Sequence, residues 1–157
     1  MIDLYLVLKL AHILSAAVLF GSGAAIAFFM FAAWRSGDIP GFALASRHTV
    51  LADWIFTTTA VILQPLTGVA LALHVGYPLT SGWLLATYAL YVFIGVCWLP
   101  VVWIQLQVRD MAKTAAENGE DLPDRAHKLM RIWFLLGWPA FIALIGIFVL
   151  MIARPAF

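Results

Sequence analysis

His12 is the sharpest candidate for chemistry in an apolar run that begins at Leu4. On a helix it lies about 12 Å along the axis from Leu4, too deep to be purely interfacial if that run crosses a bilayer. A histidine in such a place serves as a metal or haem ligand, as a proton carrier, or as a hydrogen-bonded core residue. The residues alone leave these three open. A haem held by two imidazoles needs a second histidine at matching depth. His74 falls on the same side as His12 but nearer the surface, whereas His48 and His127 fall on the other side. Met30 shares the helical stripe of His12 but is about 27 Å away along the axis. Asp53 is the one acidic residue clearly drawn into an apolar run. A buried carboxylate without a partner is neutralised, so Asp53 is expected to form an ion pair with Arg109 or Arg131.

Helical spacing sorts the remaining polar groups onto faces. Tyr5, Lys9, His12, Ala16 and Gly23 form one stripe, with Lys9 able to snorkel towards headgroups. Ala17, Gly21 and Ala25 form a second row, small enough to let another helix approach. Thr49, Asp53, Thr57, Gln64, Thr67 and Gly68 share a face that should turn away from lipid. Tyr88, Tyr91, Gly95, Trp98, Val102, Gln105 and Arg109 follow the alternating three- and four-residue steps of a left-handed bundle seam. The expected cavity is lined by His12, the Asp53–Gln64 face including Thr57, the Tyr88/Tyr91 pair, Trp98 and Gln105. Trp54, Trp103 and Trp133 read as an interfacial belt, while Trp98 and Trp138 lie deeper. Pro65, Pro100 and Pro139 each interrupt a span, and Pro65 should free a backbone carbonyl.

The elements that must position these groups follow from composition. The chain has 157 residues, of which 64% are hydrophobic and 11% charged, and its mean hydropathy is +0.99. Soluble domains carry about 25% charged residues, and a domain of this size cannot hide so much apolar surface from water. A net charge of +1 excludes nucleic acid as a partner, because binding a phosphate backbone needs many cations. The lipid bilayer is the partner implied. Four runs suffice to cross it, at about 20 residues per span: residues 4–34, 50–74, 83–108 and 129–153. The expected fold is all-α, a single transmembrane domain over 1–157 with four helices in an antiparallel bundle. Residues 35–47, 75–82 and 109–132 are its connections, with a turn at Asn118-Gly119 and an N-cap at Asp124. Arg35, Arg47, Arg109, Lys113, Arg125, Lys128 and Arg131 lie in the first and third connections, against Lys9 and Arg154 on the other side. The positive-inside rule then puts both termini on the periplasmic side of a bacterial inner membrane. Ser15-Ala16-Ala17 resembles a leader cleavage site, but no basic segment precedes the apolar run and the run continues well past it.

No phosphate loop, nucleophile elbow, HExxH or CxxC occurs, and Cys97 stands alone, so hydrolase, kinase and protease chemistry has no support. The segments LKLAHILSAAVLFGSG, LADWIFTTTAVILQPLTGVALAL, CWLPVVWIQLQVRDM and RIWFLLGWPAFIALIGIFVLMIARP resemble the blocks of the predicted integral membrane proteins of domain-of-unknown-function family 2269. More distantly, His12 followed by Gly21 resembles the first-helix pattern of HemJ-type protoporphyrinogen oxidases and CopD-like copper-resistance domains. The HemJ-type resemblance implies that His12 binds haem. It lacks counterparts here for the third-helix lysine and the LPRLF-like continuation after the glycine. The functional expectation is a small membrane protein holding haem b or a porphyrin in the bundle core, with a redox role and a membrane redox partner. His12 would be the iron ligand, and His74, Tyr88, Tyr91 and Trp98 its surroundings. The enzymatic limit of that reading is a haem-dependent membrane oxidoreductase. The other reading is a non-enzymatic assembly partner, or a small transport or permeation component that works as a homo-oligomer.

Overall fold

Asp3 opens the first helix, α1 (Leu4–Ser36), by accepting a hydrogen bond from the Tyr5 N–H at 3.0 Å, which supplies one of the orphan donors of a helix start. The computed structural model describes residues 3–156. α1 ends at Gly37, whose φ of 76° is the left-handed conformation that closes helices. Only Gly37 and Asp38 separate it from α2 (Ile39–Ala52). The connection expected over 35–47 is therefore a two-residue turn. Pro40 and Gly41 sit in the first turn of α2, where proline costs no hydrogen bond. A single π-helical turn, Asp53–Thr57, joins α2 to α3 (Thr58–Val75), so Ile39–Val75 is one continuous helical rod.

The charged stretch expected as a separate segment is shared between two long helices. α4 (Gly82–Asn118) runs to Gly119, where the Glu120 N–H reaches back to the Ala115 carbonyl at 2.9 Å. α5 (Asp124–Ala153) starts after Pro123, so Asp124 is its first helical residue and not its cap. All four rods, of 33, 37, 37 and 30 residues, are long and apolar enough to cross a membrane. At 1.5 Å per residue a 37-residue helix is about 55 Å long, well beyond a hydrocarbon core of about 30 Å. The two 37-residue rods are therefore longer than the hydrocarbon core alone requires.

At the end that carries the charged turns, the helices meet in a core. Ile26 and Met30 of α1, Phe42 of α2, Ile104, Val108 and Ala112 of α4, and Ala126, Met130 and Trp133 of α5 are its buried members. Ala112 and Ala126 are fully buried, and α4 and α5 pack on each other more extensively than any other pair. Trp133 is part of this core, not of the interfacial belt. Its indole nitrogen is buried without a partner. Trp54 and Trp103 are exposed, as lipid-facing anchors are, and so is Trp138, which meets the Phe134 ring edge-on.

Towards the opposite end the α1/α3 pair and the α4/α5 pair separate. α3 makes no extensive backbone contact with α4 or α5. α1 meets α5 through aromatic rings, with Phe31 stacked on Phe134 and Phe20 set between Phe141 and Phe148. Beyond these rings the gap is roofed by Ala72, Trp83 and Leu84, with Tyr77, Tyr88 and Met151 against them.

One bond across this gap has its cause in the sequence. Pro65 has no N–H to offer the carbonyl four residues earlier, that of Val61. The Tyr91 hydroxyl of α4 donates to that same carbonyl, which would otherwise face a membrane unpaired. Tyr91→Phe is expected to destabilise the protein in detergent by about 1–3 kcal/mol, the cost of an unsatisfied buried acceptor. The same substitution should cost clearly less on a Pro65→Ala background, where the helix supplies its own donor. Thermal unfolding of the four proteins of this cycle checks the coupling, and additive losses would contradict it.

Candidate functional site

The polar face of the second rod lies against α1, and its bonds determine how His12 is held. Thr49, Asp53, Thr57 and Thr67 are buried, and Gln64 is half-buried. The Gln64 side chain reaches the His12 carbonyl at 2.8 Å and the Ser15 hydroxyl at 2.6 Å. A carbonyl only accepts, so the amide nitrogen of Gln64 is the atom placed there. The Ser15 hydroxyl donates to the same carbonyl at 3.1 Å. Further along the interface the hydroxyls of Ser22 and Thr57 lie 3.2 Å apart.

The imidazole of His12 is oriented by Thr67. Its Nδ1 lies 2.8 Å from Thr67 Oγ1. That hydroxyl has one proton, and it is directed to the Leu63 carbonyl at 2.7 Å. With its proton on that carbonyl, the oxygen accepts from His12, which places a proton on Nδ1 and, in the neutral ring, leaves a lone pair on Nε2. Gly68 completes the seat: a Cβ at this position would come within 3.2 Å of His12 Cε1. Nε2 has no hydrogen-bond partner among the described residues, and His12 lines a cavity of about 430 Å³. Ligand sites range over roughly 300–1,000 Å³.

This cavity fills the space where the helix pairs separate. Its walls are mainly aliphatic and aromatic, including Ile13, Val69, Leu84 and Ile147. All four tyrosines of the chain, Tyr5, Tyr77, Tyr88 and Tyr91, line it. Gln64 and Thr87 add polarity within, and the exposed Lys9 and Arg154 stand at its edge. Lys9 sits over the Tyr5 ring, 5.4 Å from its centroid, and the Arg154 guanidinium lies 5.5 Å from that of Tyr77.

The structure brings His12, Gln64, Tyr88 and Tyr91 together around this space, and leaves the other expected members elsewhere. His74 is exposed and stacks on Tyr5, with ring centroids 6.2 Å apart, and it does not line the cavity. Thr57 is bound to Ser22, and Gln105 is buried outside the cavity. Trp98 is also outside, because its indole nitrogen is directed to Asp53 Oδ1 at 3.5 Å. That contact replaces the expected ion pair. Arg109 pairs with its neighbour Asp110 at 2.8 Å, Arg131 is exposed, and neither forms a salt bridge with Asp53. Trp98 precedes Arg109 by about 16 Å along the helix, so the arginine stands well beyond the carboxylate's level. Asp53 also begins the π-turn, and its carbonyl receives both the N–H and the hydroxyl of Thr58. Sequence reasoning missed Thr67 as the partner of His12, although its place on the Gln64 face was readable. It also missed Arg154 and Tyr77, whose clue was the recurrence of Tyr and cations at four helix ends.

A family model for predicted integral membrane proteins, DUF2269, matches residues 6–155. The chain belongs to this family. No curated protein and no solved structure matches it. For this family member, then, the geometry around His12 is the main guide to chemistry.

The role of Thr67 can be read from two substitutions. Thr67→Val keeps the shape and removes the acceptor, leaving a buried N–H unpaired at a cost of about 1–3 kcal/mol. Thr67→Ser retains the hydroxyl and should stay close to wild type. Melting temperatures of the two purified variants separate these outcomes, and equal stability would contradict the assignment.

Proposed function

We propose that the protein binds haem b, or a related porphyrin, in the cavity beside His12, with Nε2 of His12 as the iron ligand. The observation that carries this reading is the histidine's bonding. Its Nδ1 is engaged by Thr67, Nε2 has no hydrogen-bond partner among the described residues, and the residue lines the cavity. Metal-ligating histidines are typically held in this way, with the other ring N–H donated to a neighbour that fixes the tautomer and strengthens the ligand. Among the described residues no group of three His, Cys, Asp or Glu side chains could hold a bare metal ion. A porphyrin brings four nitrogens of its own and asks the protein for only one or two ligands, which fits a lone histidine. The tyrosines and aliphatic side chains supply the apolar walls that a ring needs.

Bound haem would supply one-electron redox chemistry, so any catalysis would be that of a haem-dependent membrane oxidoreductase working with a membrane redox partner. The chain's own residues do the holding. Thr67 and Gly68 set the plane of the imidazole, Gln64 and Ser15 fix the His12 backbone, and Tyr88 and Tyr91 shape the facing wall. The proposed setting is a bacterial inner membrane, with an antiparallel bundle whose charged end faces the cytoplasm. Seven of the nine Lys and Arg residues lie on the helical stretches that lead into and out of the turns at that end. The cavity and both termini would then lie on the periplasmic side.

Haemin added to the purified protein should produce a shifted Soret band that saturates. His12→Ala should weaken that binding at least about tenfold, the loss of one coordinate bond and its support. His74→Ala and Asp53→Asn, both outside the cavity, should leave it unchanged. A colourless protein that takes up no haemin, or a His12→Ala variant that binds as well as wild type, would overturn the proposal.

A further inference from the structure

The edge of the cavity has a charge pattern that neither apolar walls nor a histidine ligand requires. Lys9 and Arg154 both line it, on the first and last helical rods, and neither is paired with a carboxylate among the described residues. Among the described residues no Asp or Glu lines the cavity. Two cations at the edge of one largely apolar space, without carboxylate partners among the described residues, are complementary to an anionic ligand.

Arg154 is also held in place at some conformational cost. It is the one described non-glycine residue with positive φ, at 43°. The chain's other left-handed helix ends, at Gly37, Gly76 and Gly119, use the residue for which this conformation costs nothing. Side chains kept in such sparsely populated conformations cluster at functional sites. The guanidinium gives Nε–H to the Met151 carbonyl at 3.3 Å and an Nη1–H to the Tyr77 hydroxyl at 2.9 Å. These bonds aim the group, and most of its five N–H donors remain available. Lys9 rests on the Tyr5 face in the same manner, and its ammonium forms no hydrogen bond to another described residue.

We propose that Lys9 and Arg154 form an anion-receiving rim, and that the ligand is an amphiphile whose outer edge carries two anionic groups while its apolar body lies in the cavity. This rests on the cavity being the ligand site, and it adds what the ligand's edge must carry. It does not depend on iron. Lys9 and Arg154 are positioning residues: they set which way round the ligand enters and discriminate against neutral analogues.

The test uses the full chain in a detergent without anionic lipid. Quenching of tryptophan fluorescence is followed on titration with iron-free protoporphyrin IX, which has two carboxylates, and with its uncharged dimethyl ester. The diacid should bind roughly tenfold or more tightly, as charge-assisted hydrogen bonds provide. Lys9→Gln/Arg154→Gln should lose that preference and bind the two porphyrins alike, while His12→Ala should keep it. Equal binding of diacid and diester by the wild type overturns the inference with no variant needed, and so does a preference that survives in the double variant. If the diacid is preferred but haemin gives no Soret shift, the rim stands and the His12–iron reading falls. If neither porphyrin binds, the rim falls, and the haemin titration alone decides the His12–iron reading.

Discussion

A polar group inside a bilayer has no water to fall back on, so each one must find a partner on a neighbouring helix or on its own backbone. In this protein that requirement is met mainly between α1 and α3, and the most consequential contact is between His12 and Thr67. The Thr67 hydroxyl closes a short chain of donors: imidazole to hydroxyl, hydroxyl to the Leu63 carbonyl. Because a hydroxyl has one proton, the direction of the whole chain is determined. Gln64 and Ser15 secure the same stretch of α1 from the side. Without this arrangement the cavity would hold a mobile ring in either tautomer. With it, the cavity presents one lone pair in one place.

The cavity itself depends on an uneven distribution of packing. At the charged end, small residues such as Ala112 and Ala126 let α4 and α5 approach closely, and Phe42, Met30 and Met130 fill what remains. At the other end larger aromatic residues hold the two helix pairs apart, and Pro65 has left a carbonyl that Tyr91 satisfies from across the gap. The same residue thus ties α3 to α4 and lines the ligand space. Fold and site share their parts here, which is how a chain of 157 residues can build both.

Much of this was legible in the sequence, and what was not has specific causes. The four spans follow from apolar length, and the inward face of Thr49, Asp53, Thr57, Gln64 and Thr67 follows from the cost of exposing such groups to lipid. Helical spacing tells which face a residue occupies but not which residue of another helix lies at its depth. That is why Asp53 was assigned an arginine and proves to face Trp98, about three turns earlier on the same helix as Arg109. His74, expected beside His12, lies outside the cavity for a related reason, with its ring stacked on Tyr5 of α1. The turn at Gly37-Asp38 was over-extended because Pro40 and Gly41 mark a helix start as readily as a loop. The π-turn at Asp53–Thr57 left no periodic signal, being a single inserted step in a continuous rod.

The site depends on the protonation state of one imidazole, which can be observed without any ligand. A long-range proton–nitrogen correlation spectrum of protein labelled with nitrogen-15 in its histidines, assigned by comparison with His12→Gln, reports which ring nitrogen carries the proton. His12 should be neutral, with a protonated, slowly exchanging Nδ1 and a bare Nε2, and in Thr67→Val that fixed pattern should be lost. A proton resident on Nε2, with Nδ1 bare, would contradict this assignment.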